Sequence, residues 1–357
     1  MSTWEKNIRR VTPYVPGEQP KNTSVIKLNT NENPYPPSPK VEEALKNMNP
    51  EKLRLYPDPT ASELVEAVAE VYGLEKEQVF AGVGSDDALA MAFLTCFQTP
   101  KPILFPDITY SFYDVWADLF RIPYEVQPLD DSFLIRPEDY KKENGGIVFP
   151  NPNAPTGLLM SVEQVEEIVR ANQDVIVIVD EAYIDFGGVS ALPLIKKYDN
   201  LLIAQTGSKS RSLAGMRIGF LFGSPRLIGY INDCKYSFNS YTMNCPAIAA
   251  GTAAIRDQEY FQQCTQKIIE TREWAKRRFR ELGFLCGDSM SNFVFVTHPK
   301  AAAEELFTAL KSAGIYVRHF KTPERIRNYL RITIGTKEEM DALFMFLEQY
   351  ISTDRSV

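Results

Sequence analysis

The chain has 357 residues, enough for two domains at roughly 100–200 residues each and for a core that needs no disulfide or metal staple. Hydrophobic residues make up 44%, aromatics 11% and charged residues 24%, a balance that excludes a disordered or fibrous chain. The net charge of −7 excludes a non-specific nucleic-acid binder, which would need a basic face.

Residues 1–6 carry no apolar stretch, so no signal peptide is expected. Residues 1–40 form an irregular arm, because Pro13, Pro16, Pro20, Pro34, Pro36, Pro37 and Pro39 forbid a continuous helix. An arm of this kind is expected to be functional or to wrap a neighbour, packing with the small domain or the partner subunit. Thr60–Ala61–Ser62–Glu63 reads as a capping box ahead of Leu64, Val65, Val68 and Val71 at helical spacing, and Gly73 stops that helix. Short apolar runs then alternate with helices, at 78–81, 102–105, 146–149, 175–179, 201–204 and 218–222. The run Val175–Ile176–Val177–Ile178–Val179 has no polar residue, which suits a strand buried on both faces of a parallel sheet. Ser161–Val162–Glu163–Gln164 opens another capped helix. The alternation predicts an α/β domain with a mostly parallel sheet flanked by helices, over residues 41–245. Beyond it, long helical segments near 247–282 and 301–313 alternate with strands near 293–297, 315–320 and 329–334. They predict a smaller α+β C-terminal domain over 246–357. No stretch approaches 18 uninterrupted apolar residues, so no membrane span is expected.

The five cysteines, Cys96, Cys234, Cys245, Cys264 and Cys286, are odd in number and lack CxxC spacing. They read as reduced thiols of a cytoplasmic protein. His298 and His319 are the two histidines, too few for a zinc site or a recognisable Ser-His-Asp arrangement, so no metal is expected.

Two segments carry the chemistry. In the first, an apolar strand ends in Asp180, with Tyr183 three residues on. Ligands of open α/β sheets sit beyond the carboxyl ends of strands, where this carboxylate and phenol could hold a cationic ligand. The residues alone equally allow a strand-end Asp that caps the next turn. The second is Thr206–Gly207–Ser208–Lys209–Ser210–Arg211–Ser212, followed by Arg217. Hydroxyls, backbone N–H groups and Arg217 could hold a phosphate, and Lys209 could be a Schiff-base nucleophile. A basic surface loop is the other reading. Taken together, a carboxylate for a pyridinium, a lysine for an aldehyde and cationic donors for a phosphate are what pyridoxal phosphate requires.

The chain resembles the fold-type-I, class I/II pyridoxal-phosphate aminotransferases, and among them the histidinol-phosphate aminotransferases. The resemblance runs in order through Thr12–Pro13–Tyr14, Asn29–Thr30–Asn31–Glu32–Asn33–Pro34–Tyr35 and Leu55–Tyr56–Pro57. It continues through Gly82–Val83–Gly84–Ser85–Asp86, Thr109–Tyr110, Asn153–Ala154–Pro155–Thr156–Gly157 and Asp180–Glu181–Ala182–Tyr183. Ser208–Lys209, Ala214–Gly215–Met216–Arg217 and Tyr329–Leu330–Arg331 complete it. It implies that Lys209 binds the cofactor aldehyde and shuttles the catalytic proton. Asp180 would pair with the pyridinium, Tyr183 would donate to the ring oxygen, and Tyr110 would stack on the ring. Ser85, Asp86, Thr206, Ser208 and Arg217 would hold the phosphate, joined by Tyr56 from the partner subunit of a homodimer. Arg331 would bind the substrate anion, with Tyr14 and Arg318 beside it. Two positions depart from the family pattern. Ala154 stands where an Asn usually reaches the ring oxygen, so either Asn153 reaches it or Tyr183 acts alone. Gly207 stands where an aromatic is common. The resemblance implies an amino donor and a 2-oxo acid as substrates, with histidinol phosphate and 2-oxoglutarate first. An aromatic amino-acid aminotransferase, a decarboxylase of a phosphorylated amino acid and an inactive binding module are the alternatives.

Overall fold

The structure, a computed structural model, describes residues 3–22 and 24–354. Met1 and Ser2, part of the segment read for a leader, lie outside them. The N-terminal arm contributes one short strand, β1 (Ile26–Lys27), before α1 (Pro39–Lys46) and α2 (Ser62–Tyr72). Strand β2 (Val79–Gly82) leads into α3 (Ser85–Cys96), then β3 (Ile103–Pro106), α4 (Tyr113–Phe120), β4 (Tyr124–Gln127) and β5 (Gly146–Pro150). Next come α5 (Val162–Ala171), β6 (Val177–Asp180), β7 (Leu201–Thr206), β8 (Gly219–Phe222), α6 (Pro225–Phe238), α7 (Cys245–Arg256) and α8 (Gln258–Glu281). The C-terminal part adds β9 (Leu285–Cys286), β10 (Phe293–Thr297), α9 (Ala303–Ser312), β11 (Ile315–Tyr316), β12 (Arg318–His319), β13 (Leu330–Thr333) and α10 (Lys337–Asp354).

The large sheet has seven strands in the order β2-β8-β7-β6-β5-β3-β4, with β8 antiparallel to both of its neighbours. The pairs from β7 to β4 are all parallel. Val177, Ile178 and Val179 of β6 are each 0% exposed, as a central strand under two helical layers demands. Burying side chains of this size stabilises the sheet by about 1.5–3 kcal/mol each. The continuous apolar run thus places Asp180, the first polar residue after it, at the strand's carboxyl end. A second sheet, β12-β13-β10-β9, packs with α8, α9 and α10 around a separate core of Ile268, Phe279, Val294, Leu306 and Leu343. Leu28 of the arm belongs to this second core, and β1 pairs in parallel with β11.

Local sequence signals held in places and failed in others. Ser161 caps α5 from Oγ, and Gln164 answers from its side chain, completing the expected box. The box expected at Thr60–Glu63 does not form. Helix α2 begins after Ala61 in the left-handed region (φ 48), and Asp58 does the capping by accepting from Ser62 N at 2.8 Å and Thr60 N at 2.9 Å. The segment expected as one helix near 247–282 breaks at Asp257. Helix α7 packs on α1 and α2, and its Ala247, Ile248 and Ile255 join the core under the large sheet. The two cores therefore separate near Asp257 rather than at residue 245, because α7 is needed to cover α2. Ile315–Phe320, read as one strand, is split between β11 and β12 in different sheets.

Candidate active site

A cavity of about 230 Å³ opens where the carboxyl ends of the large sheet's parallel strands meet the arm and the second sheet. Eleven of the residues singled out in the sequence reach its wall: Tyr14, Ser85, Asp86, Tyr110, Asp180, Tyr183, Ser208, Lys209, Arg217, Arg318 and Arg331. A larger open groove of about 1060 Å³ lies at the amino ends of the strands, but its cations are already paired. Lys101 meets Glu143 at 2.7 Å, Arg226 meets Asp199 at 3.6 Å, and Lys197 pairs with Glu166. The smaller cavity, by contrast, is lined by Lys209, Arg318 and Arg331, which make no ion pair among the described residues.

Lys209 follows β7, on a turn held by Thr206. The Thr206 hydroxyl accepts from Ser208 N and donates to Ile218 O, both at 3.1 Å. Lys209 Nζ donates to Thr30 O at 3.2 Å and lies 6.0 Å from the centre of the Tyr183 ring. Burial, reinforced by the positive charge of Arg331, lowers its pKa to about 8. An amine in this state supplies free base near neutrality. Asn33 Nδ2 donates to the Lys209 carbonyl at 2.9 Å, so the arm fixes the lysine loop from the other side.

Asp180 is buried at the end of β6. It accepts from Tyr113 Oη at 3.0 Å and from Ala182 N at 3.2 Å. Burial pushes its pKa up to about 6, and Asp86 adds to the rise. Among the described residues no cation pairs with it, so the carboxylate is set for a positively charged partner.

An anion cradle lies beside it. Helix α3 starts at Ser85 after Gly84 (φ 88) with no side-chain cap, which leaves its first N–H groups free. A Cβ on Gly84 would collide with the Arg217 guanidinium. Arg217 reaches Asp86 Oδ2 at 3.1 Å, while Asp86 Oδ1 accepts from Tyr110 Oη at 2.6 Å. The Asp86 carboxylate thus orients Arg217 and Tyr110, and its place in the cradle is that of its backbone.

The opposite wall is cationic. Arg318 and Arg331 are direct partners in the β12–β13 ladder. Arg331 donates to Asn29 O at 3.1 Å, and its buried Nε has no partner. Burial lowers its pKa, and Arg318 contributes repulsion. Neither guanidinium makes an ion pair among the described residues. Tyr14 reaches this wall from the arm, stacked on Phe112 with ring centres 4.2 Å apart.

Two expected contacts are elsewhere. Asn153 is not on the cavity wall. Its amide donates to Ile108 O at 3.0 Å and Thr156 Oγ1 at 3.2 Å and accepts from Thr109 Oγ1 at 3.2 Å, so it shapes the turn, and Ala154 faces the cavity instead. The Thr206 hydroxyl is likewise committed to its turn. Tyr56 is 81% exposed, stacked on Tyr241 at 4.5 Å, and not part of this cavity within one chain. Residues the sequence reading left without a role include Thr30, Asn31 and Glu32 on the wall, and Tyr113 behind Asp180. The density of amides in Asn29–Asn33 was the signal for the first group; nothing in the local sequence marks Tyr113.

Among the described residues no helix is long and apolar enough to cross a membrane, and no group of His, Cys, Asp or Glu side chains could hold a metal ion.

The profile of the family aminotransferase class I and II matches residues 23–347. The histidinol-phosphate aminotransferase of Lactococcus lactis subsp. lactis is 50% identical over 355 residues, covering 99% of this chain and 98% of the relative. That of Pseudomonas putida is 52% identical over 340 residues, covering 95% and 97%. A crystal structure of histidinol-phosphate aminotransferase from Sinorhizobium meliloti in complex with pyridoxal-5'-phosphate superposes with a TM-score of 0.82 at 26% identity, over 92% of this chain and 91% of that one. The Clostridium acetobutylicum enzyme of the same name superposes at 0.85 with 20% identity, over 92% and 100%, a likeness of fold. By the family match across most of its length, the chain belongs to the class I and II aminotransferases.

Proposed function

We propose that this protein is a pyridoxal-phosphate-dependent transaminase that converts L-histidinol phosphate and 2-oxoglutarate to imidazole-acetol phosphate and L-glutamate. The observation that carries the substrate choice is the unneutralised pair Arg318 and Arg331, side by side on one wall. Two guanidiniums suit a phosphate dianion, and Arg331 alone can fork onto a glutamate carboxylate in the other half-reaction. Curated relatives about half identical over nearly the whole chain bear the same name.

The residues fit the cofactor. A half-buried lysine with a depressed pKa, a buried carboxylate without a cation and an uncapped helix N-terminus beside an arginine are the three groups that pyridoxal phosphate needs. Bound there, pyridoxal phosphate supplies an electron sink for the carbon that carries the amine. The α3 N–H groups, Ser208 and Arg217 would hold the phosphate, and Thr206 shapes the turn that presents Ser208. Asp180 would hold the proton of the ring nitrogen, helped by its hydrogen bond from Tyr113. Tyr183 would donate to the ring oxygen, and Tyr110 would line the ring face. Lys209 Nζ would anchor the aldehyde, and as a free amine it would be the group that moves the proton between the substrate carbon and the aldehyde carbon.

The active unit is a homodimer in the cytoplasm, with an arm of 1–40, a large domain and a small domain. Leu53, Leu55, Tyr56 and Phe238 are all more than half exposed, an apolar surface suited to a second copy. Tyr56 would enter the partner's phosphate cradle from that surface. The five free thiols support a reducing compartment.

The test is a panel of amino donors with 2-oxoglutarate. A kcat/KM for histidinol phosphate far above those for histidinol and phenylalanine is expected. Equal rates with phenylalanine would replace this reading with an aromatic transaminase, and carbon dioxide release would replace it with a decarboxylase.

A further inference from the structure

Asn31 stands where the arm, β13 and the Tyr183 segment meet. Its backbone is in the left-handed region (φ 57), which asparagine tolerates, and the residue is 1% exposed. Its Nδ2 donates to Tyr183 Oη at 2.9 Å. Its Oδ1 accepts from Thr333 Oγ1 at 3.1 Å, and that hydroxyl accepts from Asn31 N at 3.0 Å. The Asn31 carbonyl accepts from Asn292 Nδ2 at 2.9 Å. Thr333 thereby fixes which end of the amide faces the phenol: a donor, not an acceptor.

The direction of that bond decides what Tyr183 can do. Its oxygen already accepts from Asn31, and no other hydrogen-bond partner of Oη exists among the described residues. Its own hydrogen is therefore free for the cavity that the phenol lines. Donation into Oη also makes the phenol a stronger donor. Four charged groups face Tyr183: Arg331 from β13, Asp180 from β6, Asp86 from α3, and Lys209 from the turn after β7. Phe293 holds the ring edge-on at 5.0 Å.

We propose that Asn31 is a positioning residue that makes Tyr183 an obligate donor into the cavity and, through Thr333, ties that donor to the strand carrying Arg331. The proposal rests on the reading of the cavity as a pyridoxal-phosphate site in which Tyr183 donates to the ring oxygen. A weaker phenol donor leaves that oxygen more basic, so the proton it shares is lost at higher pH.

The readout is the pH midpoint of the visible absorbance band of the holoprotein. It is measured for wild type, Asn31→Gly, Thr333→Val, Tyr183→Phe and the double variant Asn31→Gly/Tyr183→Phe. Glycine keeps the left-handed backbone and removes only the amide. Wild type without a cofactor band overturns the pyridoxal-phosphate reading, and the proposal with it. With the band present, Asn31→Gly is expected to raise the midpoint by roughly 0.5–1 unit, the scale of one neutral hydrogen bond. Thr333→Val is expected to give a smaller rise, and the Asn31 change to add nothing once Tyr183 is Phe. An unchanged midpoint in Asn31→Gly overturns the proposal, as does an equal shift in the Tyr183→Phe background. Should Asn31→Gly fail to fold, an unchanged midpoint in Thr333→Val overturns it on its own.

Discussion

Ser210 Oγ donates to Asp185 Oδ2 at 2.5 Å, joining the residue after Lys209 to the residue two past Tyr183. The two chemistry-bearing segments leave adjacent parallel strands, β6 and β7, and this bond locks their loops together behind the cavity. Asp185 is half-buried, and desolvation raises its pKa against the opposing effects of Ser210 and Arg211. The bond therefore sits where a lost donor is costly.

Ser210→Ala should destabilise the protein by about 1–3 kcal/mol at neutral pH, the cost of a desolvated carboxylate losing a partner. The sign with pH follows from the raised folded pKa of Asp185. Its ionised form is the one that burial penalises, so the extra cost appears only where the carboxylate is charged. It should fade as the pH falls through the folded pKa of Asp185, which lies above the unfolded value of 3.8. Urea unfolding of both proteins at several pH values measures this, and a pH-independent difference would exclude the carboxylate as its source.

Lys209→Ala should abolish transamination while the apoprotein melts no lower than wild type at pH 7. The folded pKa of about 8 lies below the unfolded 10.5, so the folded state binds this proton less well and burial of the ammonium costs stability at pH 7. Competitive acetylation of wild-type apoprotein should show Lys209 titrating near 8. A midpoint at 10.5 would mean that the amine is solvated.

Asp180→Asn should keep the cofactor bound and lower turnover by roughly 10²–10⁴-fold, because an amide cannot hold the ring proton. Tyr113→Phe, which removes the phenol donor to Asp180, should act in the same direction and more weakly. Stopped-flow single turnovers separate this loss from any change in product release.

Hybrid dimers test the trans contribution of Tyr56. Lys209→Ala and Tyr56→Phe protomers, mixed and exchanged, should regain activity, since one site then carries both defects and the other neither. No recovery after verified exchange would place the phenol outside the partner's site.

Arg331→Lys keeps the charge and loses the planar fork. Both half-reactions should weaken, each by about 1.5–3 kcal/mol. Arg318→Ala should fall chiefly on histidinol phosphate and spare glutamate, because only the phosphate dianion needs the second guanidinium. Equal losses on the two substrates would show that Arg318 acts on the strand rather than on the ester.

Much of the site was legible because its residues follow recognisable strand ends. The apolar run into Asp180 and the hydroxyl-rich turn around Lys209 each announce both position and chemistry. Asn153 was not legible, because its amide bonds Ile108 O and Thr109 Oγ1 on a loop distant in sequence, besides Thr156 Oγ1 nearby. Thr206 failed for a similar reason: its hydroxyl meets Ile218 O across the β7–β8 pair. The start of α2 was misplaced because Asp58, a residue outside the expected box, outcompetes Thr60 for the free N–H groups.

The sequence by itself determined the family, the parallel α/β architecture, and the identities of the lysine, carboxylate and arginines that converge, since each sits in an ordered motif with local spacing. Tertiary structure alone decided which of those side chains face the cavity, where the two cores divide, and which partners Tyr183, Asp180 and Asp185 take. These depend on hydrogen bonds between residues far apart in the chain, such as Asn31 with Thr333. Local propensity and periodicity carry no information about such pairs, because only the closing of the arm and β13 around the sheet brings them within reach.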